Sequence, residues 1–149
     1  MIDYQEFQKI VDSSAEIREA HRVSEKKFLS MMKDPDVIVL DARSESRYNQ
    51  RHILGAKNLP FTEFTESSLK NLIPTKQTKI LIYCNNNFEG SPDSFAAKAP
   101  AASLNLSTYT SLKAYGYEEI YELGPLLDVN KTKIPFEGSE LKKLETKEE

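Results

Sequence analysis

The sequence predicts an α/β fold with a central, mostly parallel sheet flanked by helices on both faces. Three observations carry this. First, Val37-Ile38-Val39-Leu40 and Ile80-Leu81-Ile82-Tyr83 are short continuous apolar runs, the pattern of strands covered on both sides. Second, stretches with helical apolar spacing alternate with these runs, as crossover connections between parallel strands require. Third, 149 residues with 39% hydrophobic content make one domain, for which area scaling buries about 69% of the unfolded surface.

The elements follow in order. Tyr4, Phe7, Ile10/Val11 and Ile17 recur at helical spacing among charges and predict an amphipathic N-terminal helix. Val23 begins a short strand, and Ser24 is a plausible N-cap for a helix carrying Phe28, Leu29, Met31 and Met32, which Asp34-Pro35-Asp36 stops. After the first buried strand, Ser44 to Gln50 reads as a short polar helix with Tyr48 facing inward. His52 to Ala56 turns the chain, and Leu59-Pro60 closes a brief edge segment. Thr65 to Leu72 is a weak helix ended by Pro74, before the second buried strand. Leu106, Tyr109, Leu112 and Tyr115 return to helical spacing, with Gly116 as the stop. Glu119 to Leu123 alternates as a strand, and Gly124-Pro125 turns it off. These readings divide the chain into an N-terminal helical extension (1–20), the α/β domain (21–138) and a charged tail (139–149) expected to fray.

Composition removes several classes of function. Twenty basic against 23 acidic residues give a net charge of −3, so no basic field is available for nucleic acid or an anionic membrane. No apolar run approaches the ~20 residues of a membrane span. Met1 to Glu6 lacks the basic and apolar regions of a secretory leader. A cytoplasmic location is expected, or a periplasmic one had a leader been removed. With one cysteine and two histidines, His21 and His52, neither a disulfide framework nor a metal ligand set is expected.

In open α/β sheets ligands bind beyond the carboxyl ends of the strands. The two buried strands end there in Asp41 and Cys84. As the single cysteine, Cys84 is either core filler or a reagent. The polar run after it, Asn85-Asn86-Asn87-Phe88-Glu89-Gly90, can turn its amides toward an anion. Such a site, with a helix N-terminus nearby, is expected to lower the thiol pKa.

Val39-Leu40-Asp41-Ala42-Arg43, then Glu45, Tyr48 and His52 to Pro60, resemble the first signature of the rhodanese-like family. Ile80 to Cys84 resemble the strand leading to that family's active-site cysteine, and Gly116 to Gly124 its last strand and turn. The resemblance spans roughly residues 21 to 138. It implies a cofactor-free sulfurtransferase in which Cys84 becomes a persulfide and passes sulfur from a donor to a thiol or cyanide acceptor. It also implies that Asp41, Arg43 and His52 are structural residues near the site, together with Lys57 and Asn58.

The departures from the family pattern shape further expectations. The fifth position after the cysteine, commonly Arg or Lys in the family, is Glu89. This predicts a raised Cys84 pKa, weak use of thiosulfate and a less charged natural donor. Gly90 at the sixth position leaves no arginine of the kind phosphatases of this fold use. Arg51 and Leu54 replace the usual glycine and proline of the first signature. Thirty-one residues separate Cys84 from Gly116, so Ser91–Ser103 reads as an insertion that flanks the site without entering the core, with Phe95 as its anchor. The competing function is a non-catalytic rhodanese-like module that binds a protein partner or senses oxidants.

Overall fold

The computed structural model describes residues 1–142. Five parallel strands form the main sheet in the order β1-β7-β5-β2-β4: β1 (Arg22–Val23), β2 (Ile38–Asp41), β4 (Lys57–Asn58), β5 (Ile80–Tyr83) and β7 (Ile120–Leu123). The two predicted buried strands are the sheet's centre, β5 lying between β2 and β7. Alternation along β5 sends Leu81 and Tyr83 into one core and Ile80 and Ile82 into the other. The first core packs on α2 (Glu25–Met32) through Phe28 and Met31 and on α3 (Glu45–Gln50) through Tyr48. The second packs on α4 (Glu66–Leu72) through Leu69 and on α5 (Leu104–Ala114) through Tyr109 and Leu112. Helices therefore cover both faces.

Local chemistry fixes where these helices begin. Ser24 accepts from the Lys27 amide at 3.2 Å and Ser44 from the Arg47 amide at 3.3 Å. Thr65 and Ser68 form a reciprocal capping box. Each such cap is worth about 1 kcal/mol. The edge strand β4 (Lys57–Asn58) closes where expected: the Leu59 amide donates to the Asp41 carbonyl at 3.1 Å, and Pro60 has no N–H to continue the ladder. Two small pairings were not predicted. β3 (His52–Ile53) runs antiparallel to β9 (Phe136–Glu137), and β6 (Phe88–Glu89) runs parallel to β8 (Leu127–Asp128). At the β9 end the chain passes so close to α3 that a Cβ on Gly138 would lie 2.3 Å from the Gln50 carbonyl oxygen, at a φ of +142°.

Two expectations are corrected. The N-terminal helix α1 (Tyr4–Ala20) forms, but its apolar stripe does not provide its main contact. Tyr4, Phe7, Val11 and Ile17 are 72, 52, 43 and 48% exposed, and the buried residue is Ser14. Small side chains at Ser14 and Ala15 suit a close approach to α5, and α1 packs on α5 and β7. The tail does not fray at its start. Ser91 and Ser94 hydroxyls donate to Glu140 Oε2 at 2.6 and 3.1 Å; the rest of that prediction, 143–149, lies outside the described residues. Among the described residues no helix is long and apolar enough to cross a membrane.

Candidate active site

At the carboxyl edge of β2, Asp41 and Arg43 form a buried pair, 0 and 2% exposed, with Arg43 Nη2 2.7 Å from Asp41 Oδ2. The guanidinium also donates to the Ser94 carbonyl at 2.6 Å and the Arg51 carbonyl at 2.7 Å. The Tyr83 hydroxyl donates to Asp41, and burial first, then Asp41, holds Tyr83 well above the usual tyrosine range. Asn58 Nδ2 donates to the Asp41 and Arg43 carbonyls. His52 stacks on Tyr48, and its two ring nitrogens face the Tyr48 carbonyl at 2.7 Å and Glu137 at 2.8 Å. Asp41, Arg43 and His52 tie segments together and do not line the cavity at Cys84.

That cavity, about 680 Å³, opens beyond the end of β5 and has Cys84 in its wall. Cys84 itself is 1% exposed. Burial pushes its thiol pKa up; the backbone amides of Asn105 and Asn86 pull it down, Glu122 raises it again and the Leu104 amide lowers it. The net direction is upward, opposite to the lowered pKa expected from an amide nest. The amides are present, but desolvation outweighs them. Two of the three come from the N-terminus of α5, beyond the Ser91–Ser103 segment, and only one from the loop after Cys84.

The loop residues divide accordingly. Asn85 to Asn87 make one 3-10 turn, in which the Asn87 amide donates to the Cys84 carbonyl at 3.1 Å. Asn87 Oδ1 accepts from the Cys84 amide at 3.0 Å and from Asn105 Nδ2 at 2.9 Å, and its Nδ2 donates to the Leu123 and Pro125 carbonyls. Asn86 accepts from the Lys98 amide at 2.8 Å and donates to Ser103 Oγ at 2.7 Å, which clips the far end of the segment to the loop. Phe88 leaves the cradle. It is 2% exposed and its ring lies among Tyr83, Phe95 and Phe136. Glu89 is exposed on β6, and Gly90 turns the chain at φ +92°. The acidic residue that acts on Cys84 is thus Glu122 on β7; Glu89 is not among the groups that shift it.

The Ser91–Ser103 segment flanks the cavity through Pro92, Ala97, Lys98, Pro100 and Ser103. Phe95 anchors it as expected, 2% exposed and under the Arg43 guanidinium at 4.3 Å. With Ser94 beside it 0% exposed, the segment also contributes to the core, which goes beyond the flanking role expected. Sequence reasoning missed Arg18, Arg22, Asn105 and Glu122 as cavity residues. A signal existed for Glu122: it shares a strand face with Ile120, so alternation places a carboxylate where a core side chain belongs.

A family model for the Rhodanese-like domain matches residues 24–124. Among solved structures, the rhodanese-like domain of the Alr3790 protein from Anabaena sp. is similar at 21% identity and a TM-score of 0.60, over 81% of each chain. The BH2092 protein from Bacillus halodurans is similar at 19% identity and a TM-score of 0.59, over 87% of this chain and 85% of that one. A thiosulfate sulfurtransferase from Pseudomonas aeruginosa matches at 21% identity and a TM-score of 0.54, over 78% of this chain and 20% of its own. The sheet order, the strand-end cysteine and the span of the family match together make this chain a member of the rhodanese-like domain family.

Proposed function

We propose that the chain is a sulfurtransferase that carries sulfane sulfur on Cys84. The observation that carries this reading is the convergence of the Asn86, Leu104 and Asn105 amides on the chain's single thiol, in the wall of a cavity at the strand ends. Cys84 loses its proton to solvent, and its thiolate attacks the outer sulfur of a donor. The new S–S bond forms as the donor's own S–S bond breaks, and the leaving group departs with that electron pair. A thiol or cyanide then attacks the outer sulfur of the Cys84 persulfide, and the Cys84 thiolate leaves. The same amides face negative charge on Cys84 before and after each transfer. A raised thiol pKa lowers the thiolate fraction at neutral pH but makes each thiolate a stronger nucleophile.

Intact-mass measurement after incubation with thiosulfate tests this. One added sulfur atom is expected on the native chain and none on Cys84→Ser. No addition to the native chain refutes the reading and favours a non-catalytic binding module, which the near-complete burial of Cys84 supports.

A further inference from the structure

The Cys84 loop carries no cation, yet the cavity is not without one. Arg18, from the last turn of α1, lines it together with Glu122. Arg18 lies outside the residues matched by the family model. Its side chain is three-quarters buried, and Nη2 lies 2.6 Å from Glu122 Oε1. The contact is a charge pair without hydrogen-bond alignment. Arg18 Nε and Glu122 Oε1 are both buried without a hydrogen-bond partner among the described residues. The Tyr109 hydroxyl on α5 is also buried and unpartnered, and Arg18 and Glu122 are the charges that act on it. Tyr109 lies behind the pair, in the groove between α1 and α5. Buried unsatisfied polar groups are rare and costly, and the two on Arg18 and Glu122 meet at the Cys84 cavity wall.

Two other cations line the same cavity, and neither is as well placed. Arg22 is 38% exposed and divided among Glu19, Glu122 and the Gly124 carbonyl. Lys98 is exposed. Among the described residues only Arg18 combines burial, which preserves the strength of its charge, with a guanidinium donor, Nε, that has no partner.

We propose that Arg18, held in place by Glu122, is the residue by which the Cys84 cavity recognises the anionic head of a sulfur donor. Glu122 serves as the guanidinium's internal counter-ion. An arriving sulfonate, sulfite-type or carboxylate group takes the unused guanidinium donors, and a fork of N–H groups suits such an oxyanion. The substrate class is therefore a sulfane-sulfur donor with an anionic end, and α1 is part of its binding site. This deepens the sulfurtransferase reading and rests on it for the identity of the donor.

The test reads anion binding separately from sulfur transfer. In ¹⁵N-labelled Cys84→Ser, which cannot form a persulfide, the arginine Nε–Hε resonances are followed during titration with thiosulfate, with chloride at matched ionic strength as the control. The Arg18 resonance is assigned by its loss in Arg18→Lys. A saturable shift of that resonance with thiosulfate, absent with chloride, is expected. A stationary Arg18 resonance, or an equal response to chloride, overturns the proposal.

In the Cys84-containing chain, the rate of thiol alkylation by iodoacetate is divided by that for the uncharged iodoacetamide. The ratio is expected to fall several-fold in Arg18→Gln, to fall less in Arg18→Lys, which keeps the charge and loses the fork, and to rise in Glu122→Gln. A native ratio in a folded Arg18→Gln protein, or no rise in Glu122→Gln, also overturns it. If the Arg18 resonance shifts while native Cys84 gains no sulfur, the recognition site stands and the sulfurtransferase reading fails. A sulfur gain with a stationary Arg18 resonance gives the reverse.

Discussion

Phe95→Ala separates a core role for the Ser91–Ser103 segment from that of a removable cover. The ring is 2% exposed, lies 4.9 Å from Phe88 and 5.9 Å from Phe136 between centroids, and sits 4.3 Å beneath the Arg43 guanidinium carbon. Truncating a buried Phe to Ala costs about 3–5 kcal/mol through lost transfer energy and the cavity left behind. The exposed residues on either side of it, Pro92 and Asp93 before and Ala97 to Pro100 after, can settle inward, so the lower end, about 3 kcal/mol, is expected. For a chain of this size that lowers Tm by about 6–12 °C. Phe95→Leu keeps most of the apolar area and loses the ring geometry and the cation above it, so it should cost only about 1 kcal/mol. Thermal and urea unfolding followed by far-ultraviolet circular dichroism measure both, with the exposed Pro92→Ala as a control. If Phe95→Ala melts within about 2 °C of the native chain, a shift worth no more than about 1 kcal/mol, the segment is a cover and its assignment to the core is wrong.

Three further outcomes follow from the same geometry. Asp41→Asn leaves Arg43 buried without its counter-charge, so stability should fall by about 3–5 kcal/mol; an unchanged urea midpoint would contradict the bracing role. Glu122→Gln removes the acidic residue that raises the Cys84 pKa, so the pH profile of thiol alkylation should move to lower pH, whereas Glu89→Gln should leave it in place. Tyr83 is held protonated above the ordinary tyrosine pKa of about 10. As pH rises past that value the unfolded chain releases a proton that the folded chain keeps, so stability falls by up to about 1.4 kcal/mol per pH unit. Tyr83→Phe should show a shallower alkaline loss in pH-dependent urea unfolding, and parallel curves would show that Tyr83 does not govern it.

The fold was legible wherever a short stretch carried its own periodicity. Val37–Leu40 and Ile80–Tyr83 mark the central strands because burial on both faces leaves no room for polar alternation. Ser24, Ser44 and Thr65 mark helix starts because capping acts within one turn. The two-residue pairings of β3 with β9 and β6 with β8 were not legible, since partners so short and so distant leave no pattern in either stretch. The same holds for the site. Cys84 stands out by its place at a strand end, but two of the amides facing it belong to a helix that begins twenty residues later. The direction of its pKa depended on how deeply the thiol is buried, which no local run of residues encodes. Glu89 drew notice by its closeness in sequence, while Glu122 acts on the thiol from a neighbouring strand.

Asn87 joins the Cys84 amide, the Asn105 side chain and the carbonyls of Leu123 and Pro125 through one carboxamide. The turn after β5, the first turn of α5 and the turn after β7 therefore form one cooperative opening unit, because none can move without giving up hydrogen bonds held by that side chain. For a thiol 1% exposed, reaction with any bulky reagent then waits on the opening of the whole unit. Amide hydrogen exchange at Asn86, Asn87 and Asn105 should report a single opening free energy. Cys84 reactivity should follow that equilibrium across destabilising variants, which makes the sulfur's accessibility a thermodynamic property of the surrounding fold.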